Sequence, residues 1–363
     1  MKLNTDPHEM LRAAHKVAVD YSNDKNILGV LARHPMPDDP DFPQTCDVEL
    51  AVVTQEGVDA WSHGYGLVRR IVDDVFIDVC AVNVGMFRSN IVKPTEWLLS
   101  LGDPRTYEVL CDFDSGKLSG IFSEFKAHYV TSASSRLPSW LEEVRRHLLV
   151  ALDTRLEKPG RFSEAAFALA YLISALLDLS GKTFAGTFLK LPRRLTGVSV
   201  ELAEKFSEYF PAQERDPYEA ARQISILAYE LAPVYPKLTS LNPQDRGVME
   251  YNLNPTEVMY RTFVIEEIAK KDRTTALWYA RAWASFLLFS HAVAVTRTVD
   301  RYVCPAKPYA IWENILGNPD APSVELFIGW VDELFKSTSN STHSVKRNNE
   351  TTQRNGEQVV SQV

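Results

Sequence analysis

The chain has 363 residues, 24% of them charged and 45% hydrophobic, an ordinary globular composition with material for about two domain cores. Its 39 Lys and Arg against 47 Asp and Glu give a net charge of −8, which argues against a generic duplex-binding surface, since such surfaces neutralise phosphates. No strongly apolar run reads as long enough to span a bilayer, and the opening MKLNTDPHEMLRAAHK has no apolar leader stretch, so a soluble, cytoplasmic protein with no membrane partner is expected.

Taken in chain order, Pro7 to Val19 reads as a helix, with Asp6 as N-cap and Pro7 at the first position. Four strand candidates follow: Asn26 to Ala32, Val48 to Val53, Val75 to Val82 and Tyr107 to Cys111. The segments Val58 to Val72 and Pro94 to Leu101 are long enough for crossover helices. From Pro138 the texture changes, and helical spacing runs through Ser139 to Leu152, Phe162 to Leu179, Val200 to Phe210, Tyr218 to Leu231, Thr256 to Lys271 and Thr274 to Val299. No strand is expected after about residue 135. The expected class is therefore α+β: an N-terminal mixed sheet with flanking helices over 1–135, then an all-helical domain over 136–336. Residues 337–363, rich in Ser, Thr, Asn and Gln, cannot bury enough surface to offset their ordering entropy and are expected to be a disordered tail. Cys46, Cys80, Cys111 and Cys304 are far apart and read as small buried hydrophobes, not as a zinc site.

The residues with chemical promise sit on the strand candidates. Alternate strand positions share a face, so Asp47 and Glu49 project together while Val48 and Leu50 point the other way. Two such carboxylates repel unless something positive lies between them, and an oxygen-preferring divalent cation, Mg²⁺ or Mn²⁺, is one solution. Asp78, inside the apolar run Phe76-Ile-Asp-Val-Cys-Ala, would be costly to bury alone. On an adjacent strand it would join the other two acids around one or two metals. The plainer reading makes Asp78 a salt-bridged strand residue, with Arg69 or Arg70 as partner, and Asp47 and Glu49 a solvated edge.

The order Gly29-Val30…Arg33, then Asp47-Val-Glu49, then Asp78 resembles the nucleotidyltransferase superfamily of polymerase-β type, nearest to the antibiotic-modifying branch that includes kanamycin nucleotidyltransferase. Tyr107 to Gly116, a strand running into an Asp-Phe-Asp-Ser-Gly turn, is a weaker match to the same branch. The resemblance covers roughly residues 7 to 190. It implies a Mg²⁺-dependent enzyme that moves an NMP from an NTP onto a hydroxyl of a small-molecule acceptor held by the helical domain. Asp47, Glu49 and Asp78 would ligate the metals, Gly29 would let the chain approach the triphosphate, Val30 would offer its backbone N–H, and Arg33 would pair with phosphate oxygens. A helical-domain Glu serves as general base in the kanamycin-type enzymes. Glu164, on a stripe with Tyr171, Asp178 and Lys182, is the candidate here, against the alternative of a solvent-facing stripe. Such two-domain proteins often complete their site across a homodimer. Two departures stand out: Val30 replaces the family's Ser, and the loop from Arg33 to Asp47 is long and proline-laden. They motivate a second reading, a catalytically degenerate binding module on the same fold. A third, a toxin-type enzyme acting on protein or tRNA, shares the site but not the acceptor, and the acidic balance disfavours its nucleic-acid form.

Overall fold

Strands β2 (Val48–Thr54) and β4 (Val75–Asn83) are apolar almost throughout, the mark of strands buried on both faces. They lie parallel and adjacent in the middle of a five-stranded sheet of order β3-β4-β2-β1-β5, completed by β1 (Ile27–Arg33), β3 (Val68–Val72) and β5 (Tyr107–Asp112), each antiparallel to its neighbours. This computed structural model describes residues 6–33, 47–58, 68–87, 103–182, 191–210, 215–233, 243–296, 304–316 and 324–339. The four expected strands are all present. The expected helix over Pro94 to Leu101, the loop 34–46, Cys46 and the tail beyond 339 lie outside the described residues, while 337–339 belong to the last helix.

One expectation is overturned. Residues 68–72, read as the end of a crossover helix, form β3, the edge strand of a hairpin with β4. Asp73 and Asp74 turn the hairpin with φ of 50° and 61°, the two left-handed positions a two-residue hairpin of primed type needs. Neither is the usual glycine, so the turn was not legible.

Helix α1 (Pro7–Val19) starts as expected, Asp6 accepting from the His8 and Glu9 N–H groups at 2.8 and 3.2 Å. Its stripe Met10, Ala13, Ala14, Val17 and Ala18 covers one face of the sheet, against Val30, Leu50, Val52, Ile77 and Val79. On the opposite face Leu118, Phe122, Phe125 and Tyr129 of α2 (Lys117–Thr131) pack on Leu28, Leu31, Val53 and Val82. Glycine is required at 116, where the chain enters α2 with φ of 91°.

The remaining helices are α3 (Ala133–Ala151), α4 (Lys158–Leu179), α5 (Leu191–Val198), α6 (Val200–Tyr209), α7 (Pro217–Leu231), α8 (Pro243–Leu253), α9 (Pro255–Ala269), α10 (Arg273–Thr296), α11 (Ala306–Leu316) and α12 (324–339). They share one large core centred on α4 and α10, and no strand occurs among the described residues after 112. The molecule is thus α+β, a mixed sheet with helices followed by a helical domain. Helix α3 begins at Ala133, so residues 135 and 136 both lie in its first turn. Contrary to the hydropathy expectation, α4 is by length and composition apolar enough to cross a bilayer. Yet 78% of that window is buried inside the protein, which is how a central core helix reads. Phe76 of β4 leaves the sheet's own cores and joins the helical one, meeting the Tyr260 ring edge-on at 4.8 Å. That contact puts the helical domain against the same sheet face as Asp78.

Candidate functional site

The sheet register assembles the site. Arg69 of β3 lies opposite Asp78 of β4, Asp78 opposite Glu49 of β2, Glu49 opposite Arg33 of β1, and Arg33 opposite Tyr107 of β5. One residue per strand therefore forms a row across all five strands, on the face shared by α2 and the helical domain. Directly opposed strand residues are close enough to interact, and Asp47, two residues before Glu49, projects to the same side. Asp47, Glu49 and Asp78 are indeed brought together.

What they hold is arginine. The Arg69 side chain is 1% exposed. Its Nη1 donates to Asp47 Oδ2 at 2.6 Å, its Nη2 to Asp78 Oδ2 at 3.2 Å and to the Tyr251 hydroxyl at 3.0 Å, and its Nε to Glu257 Oε2. The guanidinium also lies over the Tyr260 ring, 3.8 Å from its centroid. Around this hub Tyr251 donates to Asp78 Oδ2 at 2.9 Å and Tyr260 donates to Asp47 Oδ1 at 2.8 Å. Glu257, fully buried, also accepts from Arg261 Nε. At the far end of the row Glu49 Oε2 accepts from Arg33 Nη1 at 2.7 Å and from the Tyr107 hydroxyl at 3.0 Å.

These partners drive the acids apart in protonation. Burial pushes the Asp47 carboxyl up, but Arg69, Arg261 and the Tyr260 hydroxyl outweigh it and bring it down to about 2. Burial also pushes Asp78 up; Arg69 opposes it, while Glu257, Asp47 and Glu49 add to the rise, and the carboxyl reaches about 7. Asp78 Oδ1 is sealed from solvent and has no hydrogen-bond partner, a geometry that suits a proton on this acid.

A divalent cation does not fit this arrangement. The guanidinium occupies the point where Asp47 and Asp78 converge, and both oxygens of Asp47 are already satisfied by donors. Among the described residues no group of three His, Cys, Asp or Glu is placed to hold a metal ion.

The other expected site residues lie as follows. Gly29 sits inside β1, where an added Cβ would fall 2.2 Å from the Cys111 carbonyl oxygen and 2.7 Å from Leu118. Its lack of a side chain serves the close approach of β5 and α2. Val30 is fully buried under α1. Arg33 is engaged by Glu49. Glu164 is buried in α4 and accepts or shares a proton with His147 Nδ1 of α3 at 2.7 Å, the imidazole stacked between Phe167 and Tyr171. No hydrogen bond or ion pair links Glu164 to the row. Up to Asp178 its stripe is neither a cleft nor a solvated face, while Lys182, past the end of the helix, is exposed. The stripe is a polar seam against α3, in which Asp178 takes Arg136 Nε and Nη2 at 2.9 and 2.8 Å.

The residues that sequence reasoning missed are Tyr251, Glu257, Tyr260 and Arg261. No local pattern marks them, and the helix carrying Tyr251 was not anticipated. The Asn254-Pro255 start of the next helix, with the Asn254 side chain capping Thr256 N at 2.8 Å, was the available signal for where Glu257 begins its helix. It says nothing of what that side chain faces.

No protein-family profile matches the chain, and no curated protein matches it. Among solved structures, a nucleotidyltransferase-like protein from Exiguobacterium sibiricum is similar over 80% of this chain and 81% of its own, at 11% identity and a TM-score of 0.31. A likeness of that size says nothing of chemistry, and nothing in these comparisons places the chain in the kanamycin-type branch.

Proposed function

We propose that this chain is a binding module built on a nucleotidyltransferase-type plan, in which the acidic constellation serves the architecture and not metal-dependent catalysis. One observation carries this reading: the buried Arg69 guanidinium stands between Asp47 and Asp78 and is itself held by Glu257 and Tyr251 of the helical domain. The turn residues agree. Val30 offers no hydroxyl and is sealed under α1, and Arg33 spends its charge on Glu49. A nucleoside triphosphate brings four negative charges at neutral pH, and the cations of the row are already committed to its acids, Arg33 to Glu49 and Arg69 to Asp47, Asp78 and Glu257. Binding of a triphosphate therefore requires a surface away from the row, and a protein or small-molecule partner is equally compatible with the module.

The test is incubation of the protein with ATP, GTP, CTP and UTP and a panel of hydroxyl-bearing acceptors, with Mg²⁺ or Mn²⁺, while pyrophosphate release is followed. No release above background is expected. Metal-dependent release that disappears in Asp47→Asn, with the melting temperature held, would sink the module and restore the transferase. The transferase reading keeps one supporting observation, the direct register of Glu49 against Asp78 on parallel strands with Asp47 on the same side. Its acceptor would be a small-molecule hydroxyl.

A further inference from the structure

The parallel pair β2 and β4 ends in register at Thr54 and Asn83, and a cleft of about 380 Å³ opens just beyond that end. Thr54 lies five residues further along β2 than Glu49, roughly 16 Å from the row at 3.3 Å per residue. In open sheets the crevice outside the carboxyl ends of parallel strands is a usual place for ligands, and this volume falls at the lower end of small-molecule sites. One wall is the chain leaving the two strands. The Asn83 amide nitrogen donates to the Gln55 carbonyl at 2.6 Å and to the Val58 carbonyl at 3.1 Å, and its Oδ1 accepts from the Gly85 N–H at 2.7 Å, which fixes the segment carrying Glu56 at the mouth. The other wall is α2, whose Lys117, Ile121, Glu124 and His128 follow one another at helical spacings of four, three and four and so share a face. Between the walls the floor is apolar: the buried Phe87 and Phe125 rings, stacked with centroids 5.1 Å apart, have Ile121 packed against their cluster.

The charges at the rim select the ligand. Lys117 is held by Asp114 at 3.0 Å, and the Ser119 N–H in the first turn of α2 is taken by Asp112 at 2.8 Å. Both features that would draw an anion are therefore already committed to acids. Glu124 faces water: its side chain is 76% exposed, and its His128 partner lies 3.9 Å away and is 62% exposed, a pairing too long and too wet to neutralise the carboxylate. A second acid, Glu56, stands on the facing wall. We propose that this cleft is the ligand site of the module and takes a small organic ammonium, its aromatic body seated on Phe87, Phe125 and Ile121 and its protonated amine at Glu124. The inference rests on the module reading and gives it a ligand class. It uses none of the residues of the row.

The experiment is a ligand-observed NMR titration of the full chain with three probes matched in ring and chain: 2-phenylethylamine, 2-phenylethanol and 3-phenylpropanoate. The amine is expected to bind with a dissociation constant on the order of 1 mM, roughly fivefold tighter than the alcohol or the carboxylate. Glu124→Gln, an exposed substitution that leaves the melting temperature in place, should remove that preference, so that the amine binds no better than the alcohol. Ile121→Lys, which sets an ammonium on the floor, should abolish amine binding. Binding of none of the probes, equal binding of all three, a preference for the carboxylate, or amine binding unchanged in Glu124→Gln or in Ile121→Lys overturns the proposal. Pyrophosphate release from nucleotides is a separate readout. Release sinks the module reading whatever the amine does, whereas a cleft that ignores the amine, with no such release, overturns this proposal alone.

Discussion

Two buried arginine junctions join the sheet to the helices, and they are balanced differently. At the start of α3, Arg136 grips Asp178 with two hydrogen bonds, Arg105 grips Asp103 with three between the side chains, and Arg105 also lies 3.7 Å from Asp178. Two guanidiniums face two carboxylates there. In the row, Asp47, Glu49, Asp78 and Glu257 face Arg33, Arg69 and Arg261. Four negative charges meet three positive ones, and a site with little water left in it penalises the surplus. Burial first, with Glu257, Asp47 and Glu49 adding to it, pushes Asp78 up to about 7 against the pull of Arg69, while Arg69, Arg261 and the Tyr260 hydroxyl bring Asp47 down to about 2. Matched charge makes a junction that only holds, whereas a surplus leaves one acid sensitive to pH.

The largest expected effect comes from breaking the balanced junction. Arg136→Ala strands the almost fully buried Asp178 carboxylate and should cost about 3–5 kcal/mol of stability, measured by urea unfolding. A loss under about 1 kcal/mol would mean that water reaches Asp178 and the junction is not dry. Next, Glu257→Gln removes the surplus charge from the row while keeping an acceptor for Arg69 and Arg261. It should cost about 2 kcal/mol and draw the Asp78 carboxyl down from about 7, which a ¹³C carboxyl titration would follow. An unmoved Asp78 midpoint would show that burial, with Asp47 and Glu49, raises it without Glu257.

The smallest effect at neutral pH, and the sharpest in shape, belongs to Asp78→Asn. Because the folded protein holds the Asp78 proton up to about 7 and the unfolded chain releases it near the ordinary carboxylate value, wild-type stability should fall as pH rises through that window. Asp47 acts with the opposite sign, its contribution being lost only as pH drops from the ordinary carboxylate range toward about 2. Asparagine at 78 should flatten the first slope and leave the second, so that the variant is at least as stable as wild type at pH 8. An unchanged slope between pH 4 and 7 would remove Asp78 as its source.

The sequence was legible wherever period and composition act locally. Alternation of Asp47 and Glu49 with apolar neighbours placed them on one face, and the apolar run around Asp78 made it a strand residue that needed a partner. Arg69 was already one of two arginines weighed for that role; the register chooses it, while Arg70 pairs with Asp20 at 2.9 Å. The metal expectation rested on the repulsion between acids, which is sound physics. It could not say whether the neutralising charge would be an ion or a side chain. Glu164 illustrates the same gap. Its helical stripe was visible, but a stripe of Glu, Tyr, Asp and Lys looks alike whether it faces water, a cleft or the buried Arg136 and His147 of a neighbouring helix.

From the chain alone came the α+β class, four of the five strands, the change of texture near residue 135 and the three acids of the row, because side-chain periodicity and turn chemistry are properties of neighbouring residues. Tertiary structure alone decided that Arg69, Tyr251, Glu257 and Tyr260 would close over those acids. Hairpin register and helix docking bring together residues separated by as many as 213 positions, and the pairing of a buried charge depends on what arrives from across the fold.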